Sequence, residues 1–597
     1  MKKSIIINII SWLGISLLLF FYLERQLAFH YFYIEQFRLF RFNQDYALQL
    51  FSHPGGISEY IASFLIQYFI HPHIGPLIMT CLFLCIGIGV QNIWRKLSPN
   101  LEMPLAYLMP GILLLLADMD FNHHLEGILA YASVVWILNL YIRIRSPFIR
   151  IPFMAIASWL LFYFAGPAFE AVILCAIFYE FYTKSSFKWY SLLLLPLGIF
   201  PACWWYQTGL GGEARIVFSP DAYFNPRLAL QPIIYYAWGA LLLIFILACL
   251  CGKFKGFKKK WMTYTSPILQ IILAGWFLHN ETKAYNSPTL YLVKELDYYA
   301  RTEQWDKLLS APLRSDKNAM HACFQNLALA QKGILADKAL SLKQVGADGL
   351  WIAWNRSTTA STLLSDVYYA MGNVALAQRM AFEGMISSEW TVNPRLLTRL
   401  VKTNLIYGNH AVAGKYISML EDTHAYKEQA VALKRFLNND EAIDKDPELG
   451  FKRRCIAKTD GLAQIEGVPY DLLQIIASNP ECKTAFEYLS IFCLMNKDII
   501  PFNQLIETYH NAKGLSPMPV SFQEAIILAH EGDTAAWTRL GVTPQVAERF
   551  RTFKQTVLQN RGSAALPNKL HTGFGNTYWY YLSSTYKCNF LGADNKQ

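Results

Sequence analysis

Residues 117–126 hold the densest group of side chains that could do chemistry. Between two long apolar runs lie Asp118 and Asp120, His123 and His124, and then Glu126. If the chain is helical from Asp120 onward, both histidines share a face with it. Carboxylate and imidazole groups on one face can bind a divalent metal, or act as a base with its orienting partner. We therefore predict a catalytic or metal-binding cluster in this stretch.

A simpler interpretation makes the stretch a helix N-terminus. Asp118 or Asp120 would then cap the next helix, and the two histidines would lie in water at a membrane surface. This alternative leaves one aspartate, both histidines and Glu126 without a role. Charged residues at a membrane boundary are costly, which makes them candidates for function.

The composition divides the chain into two halves. The sequence is 54% apolar and 16% charged, against about a quarter charged in soluble proteins. There are 12 acidic and 19 basic residues up to His279, and 31 and 34 from Asn280 onward. We predict an all-α protein with a polytopic membrane domain in residues 1–280 and an extracytoplasmic helical-repeat domain in residues 281–597. The basic excess follows membrane topology, because no nucleic-acid-binding motif accompanies it.

Apolar runs predict nine membrane spans. They are residues 5–23, 74–94, 104–117, 126–142, 151–164, 167–182, 189–205, 233–251 and 261–279. We interpret the first as a retained anchor, the aromatic loop of residues 24–56 as carrying an interfacial helix, and residues 57–70 as lying in or dipping into the outer leaflet. This assignment places 14 of the 19 basic residues, including those from Lys253 to Lys260, in the cytoplasm. The second half and ten of the 12 acidic residues then lie outside, which indicates a polar outer cavity.

Four further residues on the predicted outer side could take part in binding or catalysis. Asp45 is an acid of the first outer loop, and Glu170 begins a later span. Arg215 and Arg227 belong to a glycine-containing outer loop, where they could clamp a phosphate. The alternatives are a solvated loop aspartate, a helix-dipole partner and an ordinary exposed loop.

The second half shows an internal repeat but no catalytic motif. The residues Gly372-Asn373-Val374-Ala375 match Gly408-Asn409-His410-Ala411 at an offset of 36. A period in the middle thirties indicates degenerate tetratricopeptide-like repeats stacked into a solenoid with a concave groove. The eleven cysteines show no zinc spacing and no C-x-x-C pair, so we predict buried thiols and no zinc site. A disulfide in the second half stays open.

Three segments of the chain carry a resemblance. They are Pro54-Gly55-Gly56 with Glu59 and Tyr60, Asp118-Met119-Asp120-Phe121-Asn122-His123-His124-Leu125, and Glu295-Leu296-Asp297-Tyr298-Tyr299-Ala300 with Trp305. Together they resemble an uncharacterised family of bacterial inner-membrane proteins. The resemblance covers nearly the whole chain and implies membrane location without a known activity. The topology is also distantly similar to C-superfamily polyprenyl-phosphate-dependent glycosyltransferases, which place acids in the first and second outer loops, where Asp45 and Asp118 or Asp120 stand. Asp45 lies about 20 residues past the first span, whereas those enzymes place the first acid close to it.

Two hypotheses follow for function. The first is a lipid-linked sugar glycosyltransferase on the outer face of the bacterial inner membrane. Asp45 would be its base, Asp118 or Asp120 would orient the donor or a metal, His123 and His124 would assist, and Arg215, Arg227 and Glu170 would bind substrate. The second is a membrane-anchored scaffold whose repeat groove binds an envelope protein or peptide. The enzyme requires the acids to converge on one lipid-accessible cavity, whereas the scaffold requires only an open groove.

Overall fold

The computed structural model describes residues 2–253, 260–311, 318–342, 344–390, 392–458, 467–511, 516–561 and 563–583. Lys255, Lys258, Lys259 and Cys588, which entered the predictions above, lie outside these ranges. Throughout the described ranges the chain is helical, with one isolated antiparallel bridge between His123 and Phe224. The predicted all-α class is thereby confirmed.

The chain forms two compact units. The N-terminal unit comprises Met1–Leu292 with Asp422–Ala425, and the C-terminal unit comprises Val293–Glu421 with Tyr426–Gln597. The helices of the N-terminal unit are α1 Lys2–Glu35, α2 Gln44–Phe51, α3 Gly56–Ile66, α4 Ile74–Leu97, α5 Pro104–Asp118, α6 Leu125–Tyr141, α7 Pro147–Ala165, α8 Phe169–Tyr182, α9 Leu194–Gln207, α10 Ala214–Phe218, α11 Pro232–Cys251 and α12 Lys260–Tyr285, and α13 Pro288–Arg301 follows.

Four helical segments in the described ranges are long and apolar enough to cross a membrane. They are Ile6–Glu35, Ile74–Leu97, Pro147–Tyr182 and Pro232–Cys251. Pro104–Asp118 and Leu125–Tyr141 are apolar but shorter. The third segment contains both α7 and α8, which separate at Gly166, where φ is +71° and glycine is favoured. The nine spans stay a prediction.

Helix α1 is longer than the sequence predicted. It continues past the first apolar run to Glu35, so residues 24–35 extend the first helix instead of starting a separate interfacial one. No glycine or proline interrupts this stretch, and Leu27 and Tyr31 are fully buried against the rest of the unit. Burial of one face therefore keeps the helix continuous, contrary to the predicted break.

The core of the N-terminal unit is built around α4, α5 and α6. Glycines on α4 allow close packing: a Cβ at Gly87 would lie 2.7 Å from the Trp12 ring, and one at Gly89 would lie 2.4 Å from Val135 Cγ1. A buried ion pair joins α7 to α8, with Arg150 Nε donating to Glu180 Oε1 at 2.7 Å and Nη2 to Oε2 at 2.9 Å. These contacts fix the helices whose ends carry the candidate site.

The C-terminal unit continues with short helices joined by tight turns. They are α14 Trp305–Ser310, α15 Ala319–Gln331, α16 Leu335–Lys338, α17 Thr358–Met371, α18 Val374–Ser387, α19 Pro394–Ile406, α20 His410–Glu421, α21 Lys427–Lys434, α22 Asp440–Lys445, α23 Leu449–Arg454, α24 Val468–Ser478, α25 Lys483–Met495, α26 Ile499–Tyr509, α27 Val520–Ala529, α28 Thr534–Arg539, α29 Pro544–Gln559, α30 Leu566–Phe574 and α31 Tyr578–Ser583.

The two copies of the repeated segment begin with the same type of turn. Gly372 and Gly408 have φ of +91° and +74°. One residue later, Asn373 N donates to Tyr368 O at 2.9 Å, and Asn409 N donates to Asn404 O at 2.8 Å. This six-to-one hydrogen bond around a left-handed glycine is the Schellman motif. The offset of 36 residues thus has a structural counterpart, while the tetratricopeptide-like solenoid stays a prediction.

Candidate functional site

Asp118 lies where α5 ends, and its side chain is buried. The Tyr31 hydroxyl of α1 donates to Asp118 Oδ2 at 3.1 Å. Only 4% of the Asp118 side chain and 1% of the His123 side chain are exposed. Their atoms His123 Nδ1 and Asp118 Oδ1 are 4.0 Å apart. Two of the predicted catalytic residues therefore face each other in a site that excludes bulk water.

The segment between α5 and α6 is not helical, so the predicted shared helical face is wrong. The helix α6 starts at Leu125, and His124 precedes it without a side-chain capping bond. The capping alternative also fails, because neither Asp118 nor Asp120 is the residue at that position. The segment instead pairs with a distant loop: His124 N donates to Tyr223 O at 2.9 Å, and Asn225 N donates to Asn122 O at 3.1 Å. These bonds satisfy backbone groups that a helix would have satisfied internally.

Asp120 holds the loop in place and does not face His123 as predicted. Its Oδ1 accepts from the backbone N–H of Asn122 at 3.0 Å and from Asn122 Nδ2 at 2.8 Å. Its Oδ2 accepts from Gln231 Nε2 at 2.6 Å, just before α11 begins. Because both oxygens have partners, Asp120 orients the loop.

His123 has an unusual environment for a buried histidine. Nδ1 is buried, and none of the described residues gives it a hydrogen-bond partner. A buried polar atom without a partner is rare and calls for a specific explanation. An imidazole beside a carboxylate can take and return a proton when a substrate supplies the missing partner. The described ranges hold no group of three His, Cys, Asp or Glu residues arranged to bind a metal ion.

A second cluster of charged residues contains a buried ion pair and a partly exposed one. Arg38, just after α1, forms a bidentate pair with Glu126 of α6; Arg38 Nη2 donates to Glu126 Oε2 at 3.0 Å. On α3, Glu59 Oε2 lies 3.7 Å from His53 Nε2. Burial and the nearby Glu126 raise the pKa of Glu59, while Arg38 opposes that rise. The sequence predictions gave Arg38 and Glu59 no role, although Glu126 in a buried helix required a cation near it.

Tyr223 connects the site to the break between α7 and α8. Its hydroxyl donates to Ala165 O and accepts from Ala168 N at 3.2 Å. Glu170 follows two residues later, partly buried in the first turn of α8. The predicted substrate-binding residue Glu170 thus lies two residues beyond the backbone N–H that donates to Tyr223.

The other predicted residues lie farther from the Asp118–His123 pair. Asp45 is exposed in the first turn of α2, and no contact among the described residues joins it to Asp118 or Asp120. Arg215 is exposed, and it donates to Glu213 Oε2 at 2.6 Å and to Pro226 O at 2.8 Å. Arg227 is also exposed, beside Asn225, in the loop that pairs with residues 122–124. The loop that carries Arg227 therefore pairs with the segment that carries His123 and His124, whereas Asp45 lies apart from that segment.

An apolar cavity of about 390 Å³ lies between α1, α4, α5 and α12. Its lining includes Trp12, Tyr22, Gly111, Leu115 and His279. Leu115 precedes Asp118 by three residues on α5, so the two lie on the same face of that helix. An apolar chain in the cavity would therefore lie close to the buried acid.

Comparison with known proteins identifies the family and no activity. Neither the curated proteins nor the solved structures contain a match to this chain. The model of a family of unknown function, DUF6057, matches residues 2–585. With nearly the whole chain covered, the protein belongs to that family.

Proposed function

We propose that the chain is a multi-pass protein of the bacterial inner membrane that transfers a sugar from a polyprenyl-phosphate donor on the outer face. The observation that carries the proposal is the buried Asp118–His123 pair, in which His123 Nδ1 lies 4.0 Å from Asp118 and has no hydrogen-bond partner among the described residues. Supporting it, the unit that holds the pair also holds the four helices that could cross a membrane.

His123 replaces Asp45 as the general base in this mechanism. His123 accepts the proton of an acceptor hydroxyl while the oxygen attacks the anomeric carbon and the polyprenyl phosphate leaves. Asp118 stabilises the imidazolium that forms, and Tyr31 keeps the carboxylate oriented through its 3.1 Å hydrogen bond. Arg227, beside the residues that pair with the site, and Arg215 of α10 would hold the departing phosphate.

The apolar cavity would hold the first isoprene units of the donor. Its lining residues belong to helices of the N-terminal unit, and Leu115 brings it to within one helical turn of Asp118. A lipid chain is the occupant that an apolar cavity in a membrane-spanning unit can draw from its surroundings. This arrangement would place the phosphate and sugar at the polar end, where Asp118 lies.

The test uses the purified full-length protein in lipid nanodiscs with undecaprenyl phosphate carrying a radiolabelled glucose, galactose or mannose. We expect the wild type to release label from lipid to water-soluble products, with water supplying the acceptor hydroxyl in this assay. Asp118→Asn and His123→Gln should lower that rate at least about 100-fold, the effect of losing a general base. Asp45→Asn should remain within about twofold of the wild type. Wild-type protein inert toward all three donors, or unaffected variants, would exclude the proposal.

A matched glycine pair tests the cavity. Gly111 lines it, whereas Gly239 on α11 does not, and both have open space where a Cβ would lie. Gly111→Leu should reduce binding of undecaprenyl phosphate, measured by quenching of tryptophan fluorescence, since Trp12 lines the cavity. Gly239→Leu should leave binding unchanged. Equal effects of the two variants would remove the cavity from the proposal.

A membrane-anchored scaffold is the second candidate, and the repeated Schellman turns in the C-terminal unit favour it. Helices α17, α18, α19 and α20 pack in succession, as stacked repeats do. In a strain lacking the gene, full complementation by both Asp118→Asn and His123→Gln would support the scaffold. Loss of complementation by either variant, expressed at wild-type level, would support the enzyme.

A further inference from the structure

Two buried cysteines of the C-terminal unit lie in direct contact. Cys455 directly follows α23, and Cys482 directly precedes α25. Their Sγ atoms are 2.7 Å apart, although the residues are 27 positions apart in the chain. Both residues are 0% exposed. A sulfur–sulfur contact this close needs only a small adjustment to become a covalent bond.

The surroundings of the pair hold the two sulfurs together. The Schellman turn at Gly372 packs on them: a Cβ there would lie 2.9 Å from Cys482 Sγ and 3.3 Å from Cys455 Cβ. Cys482 Sγ also lies 3.9 Å from Met371 O. The pair therefore sits at the junction of α17, α18, α23 and α25, where a covalent link would join elements distant in sequence.

A buried cation lies beside the pair. Lys452, one turn before Cys455, donates through Nζ to Ala370 O at 3.0 Å. Burial lowers the pKa of Lys452, and the two neighbouring sulfurs act in the opposite direction. An ammonium attracts an ionised sulfur beside it, and the thiolate is the species that attacks a disulfide. Geometry and charge thus both favour bond formation.

Two other buried cysteines of the C-terminal unit provide a contrast. Cys323 Sγ lies 3.6 Å from the backbone oxygen of Leu350. Burial raises the pKa of Cys493, as it does that of Cys323, to about 12, so both stay thiols. Among the cysteines that the structure describes, a sulfur neighbour at this distance is recorded for Cys455 and Cys482 alone.

We propose that Cys455 and Cys482 form an intramolecular disulfide in the native compartment of the protein. One thiolate attacks the disulfide of an envelope thiol–disulfide oxidoreductase and releases one of its sulfurs. The second thiolate then displaces the other, forming the Cys455–Cys482 bond. The pair loses two protons and two electrons, and the oxidoreductase disulfide becomes a dithiol. This inference rests on the proposed location of the C-terminal unit outside the cytoplasm, where disulfides persist.

The experiment counts thiols in the full-length protein. Cells are quenched in acid, denatured and treated with polyethylene-glycol maleimide, with and without prior reduction. We expect the unreduced wild type to take up two fewer maleimides than the reduced protein. Cys455→Ser and Cys482→Ser should each abolish the difference, whereas the matched variant Cys323→Ser should retain it. A wild type fully labelled before reduction, or a difference that survives Cys455→Ser, would overturn the proposal.

Reporter fusions at the C-terminus separate the two ways in which the proposal could fail. If the disulfide is absent while alkaline phosphatase fused after Gln597 is active, the disulfide proposal is wrong and the proposed location outside the cytoplasm is supported. If the bridge is absent and that fusion is inactive, both are wrong.

Discussion

Arg38 and His123 show two opposite states of a buried polar side chain. Arg38 and Glu126 satisfy each other through a bidentate contact, so removing either one would leave a buried charge, at a cost of about 3–5 kcal/mol. His123 Nδ1 has no such partner among the described residues and lies 4.0 Å from the nearest carboxylate oxygen of Asp118. The first arrangement stabilises the fold, whereas the second leaves a group available to a substrate.

The pKa of Glu524 differs between the folded and the unfolded protein. Burial raises the pKa of its carboxyl from 4.5 to about 7, although Oε2 accepts from Tyr578 N at 2.7 Å. In the unfolded chain the Glu524 carboxyl ionises near pH 4.5, whereas in the folded protein it stays neutral until about pH 7. Ionisation therefore favours the unfolded chain, and the free energy of unfolding falls as the pH rises from 4.5 through 7. The loss amounts to about 3 kcal/mol.

The variant Glu524→Gln tests this titration because its amide oxygen can still accept from Tyr578. We expect it to be more stable than the wild type at pH 8 and nearly equal at pH 4.5, as measured by thermal unfolding of the full-length protein in detergent. The exposed Glu441→Gln should follow the wild type at both pH values. An advantage for Glu524→Gln that does not change with pH would contradict the assigned pKa.

The residue types of the site were predictable, but their geometry was not. Because Asp118 and His123 are polar residues between two apolar runs, the sequence identified them as candidate site residues. The short distance between the Asp118 and His123 side chains depends on the pairing of residues 122–124 with residues 223–225, about 100 positions later. Nothing in the local sequence indicates that pairing. Arg38 and Glu126 are likewise 88 positions apart. Such contacts arise from tertiary packing, which periodicity does not report.

At the scale of elements, the turn glycines were the most informative signals in the sequence. Gly372 and Gly408 each follow a helix and precede another, and both adopt a positive φ, which glycine favours. Element boundaries were less predictable: α1 extends to Glu35 because burial of one face outweighs its charged residues. The non-helical segment before α6 escaped prediction because long-range pairing replaces helical hydrogen bonds there.

The two turns make a matched prediction. Gly408→Ala has open space for its Cβ, so it should lose only the cost of the left-handed conformation, about 1–2 kcal/mol. Gly372→Ala meets Cys482 Sγ at 2.9 Å and should lower the unfolding temperature further. Gly414→Ala, inside α20 with an ordinary 3.8 Å contact, should be neutral or stabilising. Unfolding temperatures of the three full-length variants in any other order would contradict this account.

At the scale of the whole molecule, composition predicted two halves, and the structure has two compact units. The shift in charge near residue 280 lies close to the boundary at Leu292. The number of spans was harder to predict, because α5 and α6 have 15 and 17 residues. Hydropathy identifies such helices as apolar, but length alone does not decide whether they cross a bilayer.

The insertion polarity can be measured directly. Since 14 of 19 basic residues of the first half lie on one predicted side, we expect alkaline phosphatase fused after Lys260 to be inactive and after Gln597 to be active. A green fluorescent protein should give the inverse pattern. Activity of the phosphatase after Lys260 would invert the predicted orientation and with it the side on which Asp118 lies.

The length of α1 determines the level, relative to the membrane, at which the Asp118 carboxylate would lie. At 1.5 Å per residue its 34 residues measure about 51 Å, well beyond a hydrocarbon layer of about 30 Å. With residues 6–23 immersed in acyl chains, Tyr31 projects about 12 Å farther along the axis. The carboxylate it contacts would then be level with the glycerol and choline or ethanolamine groups of neighbouring phospholipids. A carbohydrate dissolved in the aqueous phase could reach that level without entering the hydrocarbon layer.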